Sequence, residues 1–180
     1  MWQGRQPLWD PAHLVFVDES GINTVMVRQY GWGPCGERVP QGHWETATLV
    51  LAVRQAGLAA PMVTAGAMNG ALFLADVKTF LCPILVKGDI VIWDNLCVHQ
   101  VAGVREAIEA RGATLQPLPP DSPDINPIEQ VFSKLKAPLR AAAERTVEGL
   151  WKTLGTLLDE FPPDECANFL KGAGYAVQAN

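Results

Sequence analysis

Short apolar runs bounded by polar residues organise the first hundred positions of this chain. Leu14-Val15-Phe16-Val17 closes on Asp18, and Ile90-Val91-Ile92-Trp93 closes on Asp94. Runs this short are below the length of an ordinary helix and read as buried strands. Thr24 to Tyr30 has the β-branched and aromatic content of another strand, after a turn that Gly21 permits, and Gly31-Trp32-Gly33-Pro34-Cys35-Gly36 breaks it. Thr46 to Arg54 predicts a third strand, Gly57 a turn, and Met62 to Ala65 a short fourth, a spacing that suits an antiparallel meander. The period then changes. Leu72, Phe73, Val77, Phe80 and Leu81 recur at helical intervals, and Pro83 marks the end of that helix. Ala102 to Ala110 predicts a second helix stopped by Gly112, and Thr114 to Leu118 a last strand. From Asn126 onward the chain reads as helical almost to its end. The first twelve residues, with Pro7, Pro11, Trp2 and Trp9, show no period and are expected to form a loose arm.

In an open sheet with helices on its faces, ligands gather at the carboxyl ends of the strands, so Asp18 and Asp94 are expected to share a site. A third acid, Glu129, follows Asp94 with 34 residues between them, at the end of the block Pro119-Pro120-Asp121-Ser122-Pro123-Asp124-Ile125-Asn126-Pro127-Ile128. A cluster of carboxylates is costly unless positive charge lies among them, and divalent metal ions are the usual occupant. Each acid also has a plainer reading. A strand-end aspartate often caps a turn, and Asn126-Pro127-Ile128-Glu129 is a helix start with Asn as N-cap, Pro at N1 and Glu in capping-box position. Asp121 and Asp124 are rivals of Glu129 for the third carboxylate, set back in the loop.

At 180 residues and 48% hydrophobic, the chain can bury one substantial core, which fits a single domain. Its net charge of -5 lacks the positive field of a stand-alone nucleic-acid binder, so any DNA substrate needs metal ions or another segment to hold it. Cys35, Cys82, Cys97 and Cys166 are scattered without a C-x-x-C pair, which argues against a zinc site or a disulfide framework. No apolar run approaches the roughly 18 to 20 residues of a membrane span, and the start lacks a signal-peptide core. A cytoplasmic location without membrane contact is expected.

Asp18-Glu19-Ser20, Asp94-Asn95 with His99, the block from Leu118-Pro119-Pro120 through Ser122-Pro123-Asp124-Ile125-Asn126-Pro127-Ile128-Glu129, and Ser133-Lys134-Leu135-Lys136 together carry a family likeness. They resemble the catalytic (DDE) domain of Tc/mariner superfamily transposases, in particular their bacterial insertion-sequence relatives. Gly31-Trp32 with Gly36, and Asn69-Gly70 ahead of Phe73, extend the likeness over roughly residues 13 to 140. The resemblance implies an α/β, RNase H-like fold. That is a mixed sheet of about five strands with helices on both faces and extra C-terminal helices. It divides the chain into an arm (1–12), the catalytic domain (13–142) and a C-terminal helical extension of the same domain (143–180).

The resemblance also implies an activity: metal-dependent cleavage of transposon-end DNA, then transfer of the freed 3′-hydroxyl into target DNA. Asp18, Asp94 and Glu129 would be the catalytic and metal-binding acids, holding two Mg²⁺ or Mn²⁺ ions roughly 3.5 to 4 Å apart. Asn95 and His99 are placed to orient a water or touch a phosphate. Ser133, Lys136 and Arg140 follow Glu129 along one helix face and would meet a DNA backbone. Trp32 and Trp44 could stack on bases, whereas Trp93 belongs to a strand core. Partners implied are transposon-end and target DNA, a second copy in a homodimer, and an upstream helix-turn-helix segment that reads the DNA ends. Two other readings stay open. One is a catalytically silent truncated transposase acting as an interaction or regulatory module. The other is a dehalogenase-type phosphotransfer enzyme, whose second aspartate would fall where this chain has Ser20.

Overall fold

The computed structural model describes residues 2, 4–23, 46–94, 101–142, 144 and 146–175. The strand expected over 24–30, the glycine-rich break after it, Trp32, Trp44, Asn95 and His99 all lie outside the described residues. Within them the strands are β1 (Leu14–Asn23), β2 (Thr46–Arg54), β3 (Gly57–Ala65), β4 (Ile90–Trp93) and β5 (Thr114–Pro117). The helices are α1 (Gly70–Asp76), α2 (Val104–Glu109), α3 (Ile128–Ala142), α4 (Val147–Leu158) and α5 (Pro163–Gly172). The sheet runs in the order β3-β2-β1-β4-β5. β1, β2 and β3 are antiparallel, while β4 and β5 join them in parallel, which makes the mixed sheet of an RNase H-like fold.

Alternation along the central strands explains why both faces need helices. Leu14 and Phe16 of β1, Leu49, Leu51 and Val53 of β2 and Ile92 of β4 pack in one buried cluster with Val131, Phe132, Leu135 and Leu139 of α3, Leu150 and Leu154 of α4 and Leu170 of α5. Val15, Val17, Val50, Ala52, Val91 and Trp93 turn the other way, against Phe73 of α1, Val77, Leu81 and Val104 and Ile108 of α2. Successive side chains of a strand point to opposite faces, so an all-apolar run is what a strand covered on both sides requires. Trp93 is packing, edge-to-face on Phe73 with ring centroids 5.6 Å apart.

Four expectations change. Gly21 is not a turn: β1 continues to Asn23, with Gly21 paired to Thr48, because β2 offers a full-length partner. Gly57 is likewise a strand residue, paired with Arg54 across a turn at Gln55-Ala56. The strand expected over Met62–Ala65 therefore begins five residues earlier and tolerates Pro61 because β3 is the sheet edge. The helix expected through Leu72 and Phe80 has two windings, α1 followed by a π-helical turn at Val77–Leu81. Its buried apolar residues are Phe73, Val77 and Leu81, four apart, while Leu72 and Phe80 stay exposed. The loose arm is tied down: the Trp2 indole N–H donates to the Tyr175 hydroxyl at 3.0 Å, and buried Gln6 donates to the Ala173 carbonyl at 3.1 Å.

Candidate active site

β1 and β4 run parallel, with Phe16 opposite Ile92 and Val17 opposite Trp93 as the last pair. Asp18 and Asp94 follow those residues at the ends of neighbouring strand segments. Each is two positions beyond a residue of the α3-facing set, Phe16 or Ile92, so strand alternation aims both carboxylates toward the α3 side. Beyond Asp94 the chain returns through α2 and β5. The Leu118 N–H then donates to the Trp93 carbonyl at 2.7 Å, which lays the proline-rich block over the strand ends. A cleft of about 350 Å³ results, lined by Asp94, Leu118, Pro119, Pro120, Asp121, Ser122, Pro123, Asn126 and Glu129.

Glu129 occupies the first turn of α3, exposed, with its side chain on the cleft. The start of a helix carries partial positive charge from unsatisfied N–H groups, and an acid there is favoured by about 0.3–1 kcal/mol. Asp121 lines the same cleft from the loop, at a positive φ of 53°, whereas Asp124 is exposed in the short 3₁₀ turn Pro123–Ile125. Along α3 the buried stripe is Ile128, Val131, Phe132, Leu135 and Leu139, as the helical period predicts. Ser133 and Arg140 are exposed and Lys136 half-buried, on the face that continues from Glu129. The helix runs through Pro138 without ending there.

Asp18 is the deepest of the three acids, only 7% exposed. Its Oδ1 accepts from the Glu19 backbone N–H at 2.7 Å, and its Oδ2 accepts from the Asn126 side-chain amide at 3.1 Å. This adds to the reading of Asn126 as a helix cap, which uses the side-chain oxygen and not the NH₂. Its NH₂ reaches across 108 residues to Asp18. Sequence reasoning missed this contact because an Asn ahead of Pro at a helix start has a sufficient local explanation. A buried polar side chain that must find a partner was the available signal.

Among the described residues, no group of three or more His, Cys, Asp or Glu side chains is gathered tightly enough to hold a metal ion. The structure thus brings Asp94 and Glu129 to one cleft and joins Asp18 to it through Asn126, without closing the three acids into one cluster. Their donor atoms are all carboxylate oxygens, a set that fits a hard divalent cation such as Mg²⁺ better than zinc or copper. No helix among the described residues is long and apolar enough to cross a membrane.

Solved structures with this fold include Mos1 transposase in its paired-end complex with the left transposon end, at 18% identity and a TM-score of 0.72. That match covers 96% of this chain and 55% of the other. The Mos1 strand transfer complex matches at 19% identity and a TM-score of 0.73, over 96% and 55% of the two chains. The catalytic domain of Mos1 mariner transposase alone matches at 14% identity and a TM-score of 0.66, over 96% and 82%. The chain therefore spans about half the length of the full transposase chains it matches. No curated protein matches it. Residues 13–150, including the β1 and β4 strand ends and the α3 start that frame the cleft, match the family described as DDE superfamily endonuclease, and the chain belongs to that family.

Proposed function

We propose that this chain is the catalytic domain of a DDE transposase, with Asp18, Asp94 and Glu129 as its catalytic and metal-holding acids. The observation that carries the reading is a pair of aspartates at neighbouring parallel strand ends, one of which shares a cleft with Glu129 on the first turn of α3. It is supported by Mos1 transposase structures whose descriptions name bound Mn or Mg. Two divalent ions, when bound, would lower the proton affinity of an attacking water or 3′-hydroxyl and stabilise the leaving oxygen. The chain's own part is to fix those acids, to exclude bulk water with the Pro119–Pro123 wall, and to steer the phosphate backbone. Ser133, Lys136 and Arg140 suit that last task, since contacts of this kind set register on DNA without reading its bases. Asn95 and His99 are proposed to touch the water or phosphate next to Asp94.

The chemistry proposed is hydrolysis of a P–O3′ bond at the transposon end, followed by attack of the freed 3′-hydroxyl on a target phosphodiester, with the displaced 3′-oxygen of the target leaving. An acidic chain is a poor reader of DNA ends by itself. Recognition is therefore proposed to come from a helix-turn-helix segment outside these residues, acting in a homodimer. Labelled inverted-repeat DNA incubated with the protein and Mg²⁺ or Mn²⁺ tests the reading. Strand cleavage is expected, and it should vanish in Asp18→Ala, Asp94→Ala and Glu129→Ala separately. Cleavage that survives all three substitutions would overturn the assignment.

A further inference from the structure

We infer that Asn126 is a positioning residue that sets the plane of the Asp18 carboxylate and, through its own backbone, the place of Glu129. The inference rests on the reading of Asp18 as a metal-holding acid. A carboxylate accepts hydrogen bonds and donates none, so the group of Asn126 that faces Asp18 at 3.1 Å is its NH₂. The terminal torsion of an aspartate is broad, and one bond to one oxygen would leave the plane free to swing. Asp18 has a donor on each oxygen, the Glu19 N–H on Oδ1 and the Asn126 amide on Oδ2. These donors approach from different elements, β1 itself and the turn before α3. Together they fix the plane of the carboxylate.

The backbone of the same residue faces the third acid. The Glu129 N–H donates to the Asn126 carbonyl at 3.3 Å, and the Asn126 N–H donates to the Pro123 carbonyl at 3.1 Å. Asn126 is itself 5% exposed, too buried for water to replace its amide. The loop before it is held from outside: the Tyr175 hydroxyl donates to the Ile125 carbonyl at 2.9 Å and receives the Trp2 indole N–H. One residue thus ties the first acid, on the central strand, to the helix that carries the third. Sequence order separates these groups; the Asn126 amide and carbonyl join them.

Groups that orient ligating carboxylates typically cost about 10- to 100-fold in metal affinity when removed. The test is Mn²⁺ binding to the protein without DNA, read by electron paramagnetic resonance and calorimetry, with melting temperature measured alongside. Asn126→Ala is expected to weaken Mn²⁺ binding within that range. Asn126→Asp, which keeps the shape but replaces the donor with a like charge, should weaken it further. Asn126→Gln, which keeps the donor, should recover part of the loss. Thr146→Ala removes the cap bond that the Gly149 N–H donates at the start of α4, away from Asp18 and the cleft, and serves as the control for stability alone. Asn126→Ala binding Mn²⁺ as wild type does, or Thr146→Ala losing as much affinity as Asn126→Ala, would overturn the inference while Asp18→Asn still abolished binding. Wild type and Asp18→Asn both failing to bind Mn²⁺ would overturn the underlying reading, and the inference with it.

Discussion

The two ends of the β1–β4 strand pair treat their acids in opposite ways. At the amino end, Asp89 precedes β4 and is fully buried. Arg54 pairs with it, His13 lies 3.3 Å from its Oδ1, and the Val86 N–H donates to its Oδ2 at 2.8 Å. Arg54 also donates to the Ile84 carbonyl at 3.0 Å, so the guanidinium is fixed as well. At the carboxyl end, the bonds described for Asp18 come from neutral donors, a backbone N–H and an amide, and Asp94 and Glu129 open onto a cleft. Charge satisfied by the fold's own cation closes a strand end. At the other end, Asp94 and Glu129 line a cleft that a cation from solution can reach.

This contrast is open to a direct challenge. Asp89→Ala would leave the Arg54 guanidinium, 16% exposed, facing an empty pocket, and breaking a buried pair in this way costs about 3–5 kcal/mol. Chemical denaturation should register that loss, while Asp94→Ala should stay within about 1 kcal/mol of wild type and lose cleavage instead. Equal stability losses at both ends would erase the distinction.

Asp76, at the junction of α1 and the π-helical turn, sharpens the comparison because it resembles neither end. It is 3% exposed, and among the described residues its Oδ1 has no hydrogen-bond partner. Burial pushes its pKa from 3.8 to about 7. The folded chain therefore keeps this proton up to about pH 7, whereas the unfolded chain releases it near 3.8. Between those values the native state binds more protons, and stability falls as pH rises. Asp76→Asn should flatten the melting-temperature profile over that window and remove a loss of about 1–3 kcal/mol at pH 7. An unchanged profile would assign the acid a partner.

Smaller effects follow at the supports. Tyr175→Phe should cost about 1–3 kcal/mol in denaturation, the usual net value of its two hydrogen bonds. Lys136→Ala should leave stability within about 0.5 kcal/mol. It should instead weaken DNA binding evenly across sequences and lower the salt slope by about 1. Sequence-selective loss at Lys136 would mean that α3 reads bases.

The central strands were legible because they are covered on both faces, which makes Leu14–Val17 and Ile90–Trp93 continuously apolar and leaves Asp18 and Asp94 as plain terminators. The helical stripe of α3 was legible because one face alone is buried, which sets Ile128, Val131, Phe132, Leu135 and Leu139 at helical spacing. β3 was not, because an edge strand needs less apolar content and admits Ala59-Ala60-Pro61, a composition that argues for a loop. Gly21 misled because a glycine held in a ladder by a neighbouring strand looks the same in one dimension as one that turns. Asn126 hid behind a local role, since its partner is remote along the chain. Asp76 was concealed by a helical period that changes winding just after it.

The clasp between Trp2 and Tyr175 spans 173 positions, and the bond from Asn126 to Asp18 spans 108. Closing loops of that size is entropically expensive and slow compared with pairing β1 to β2 or forming α3. During synthesis, the first acid leaves the ribosome long before the loop that orients it, and the loop before the tyrosine that braces it. The sheet can therefore form before Asn126 and Tyr175 have tied the cleft together.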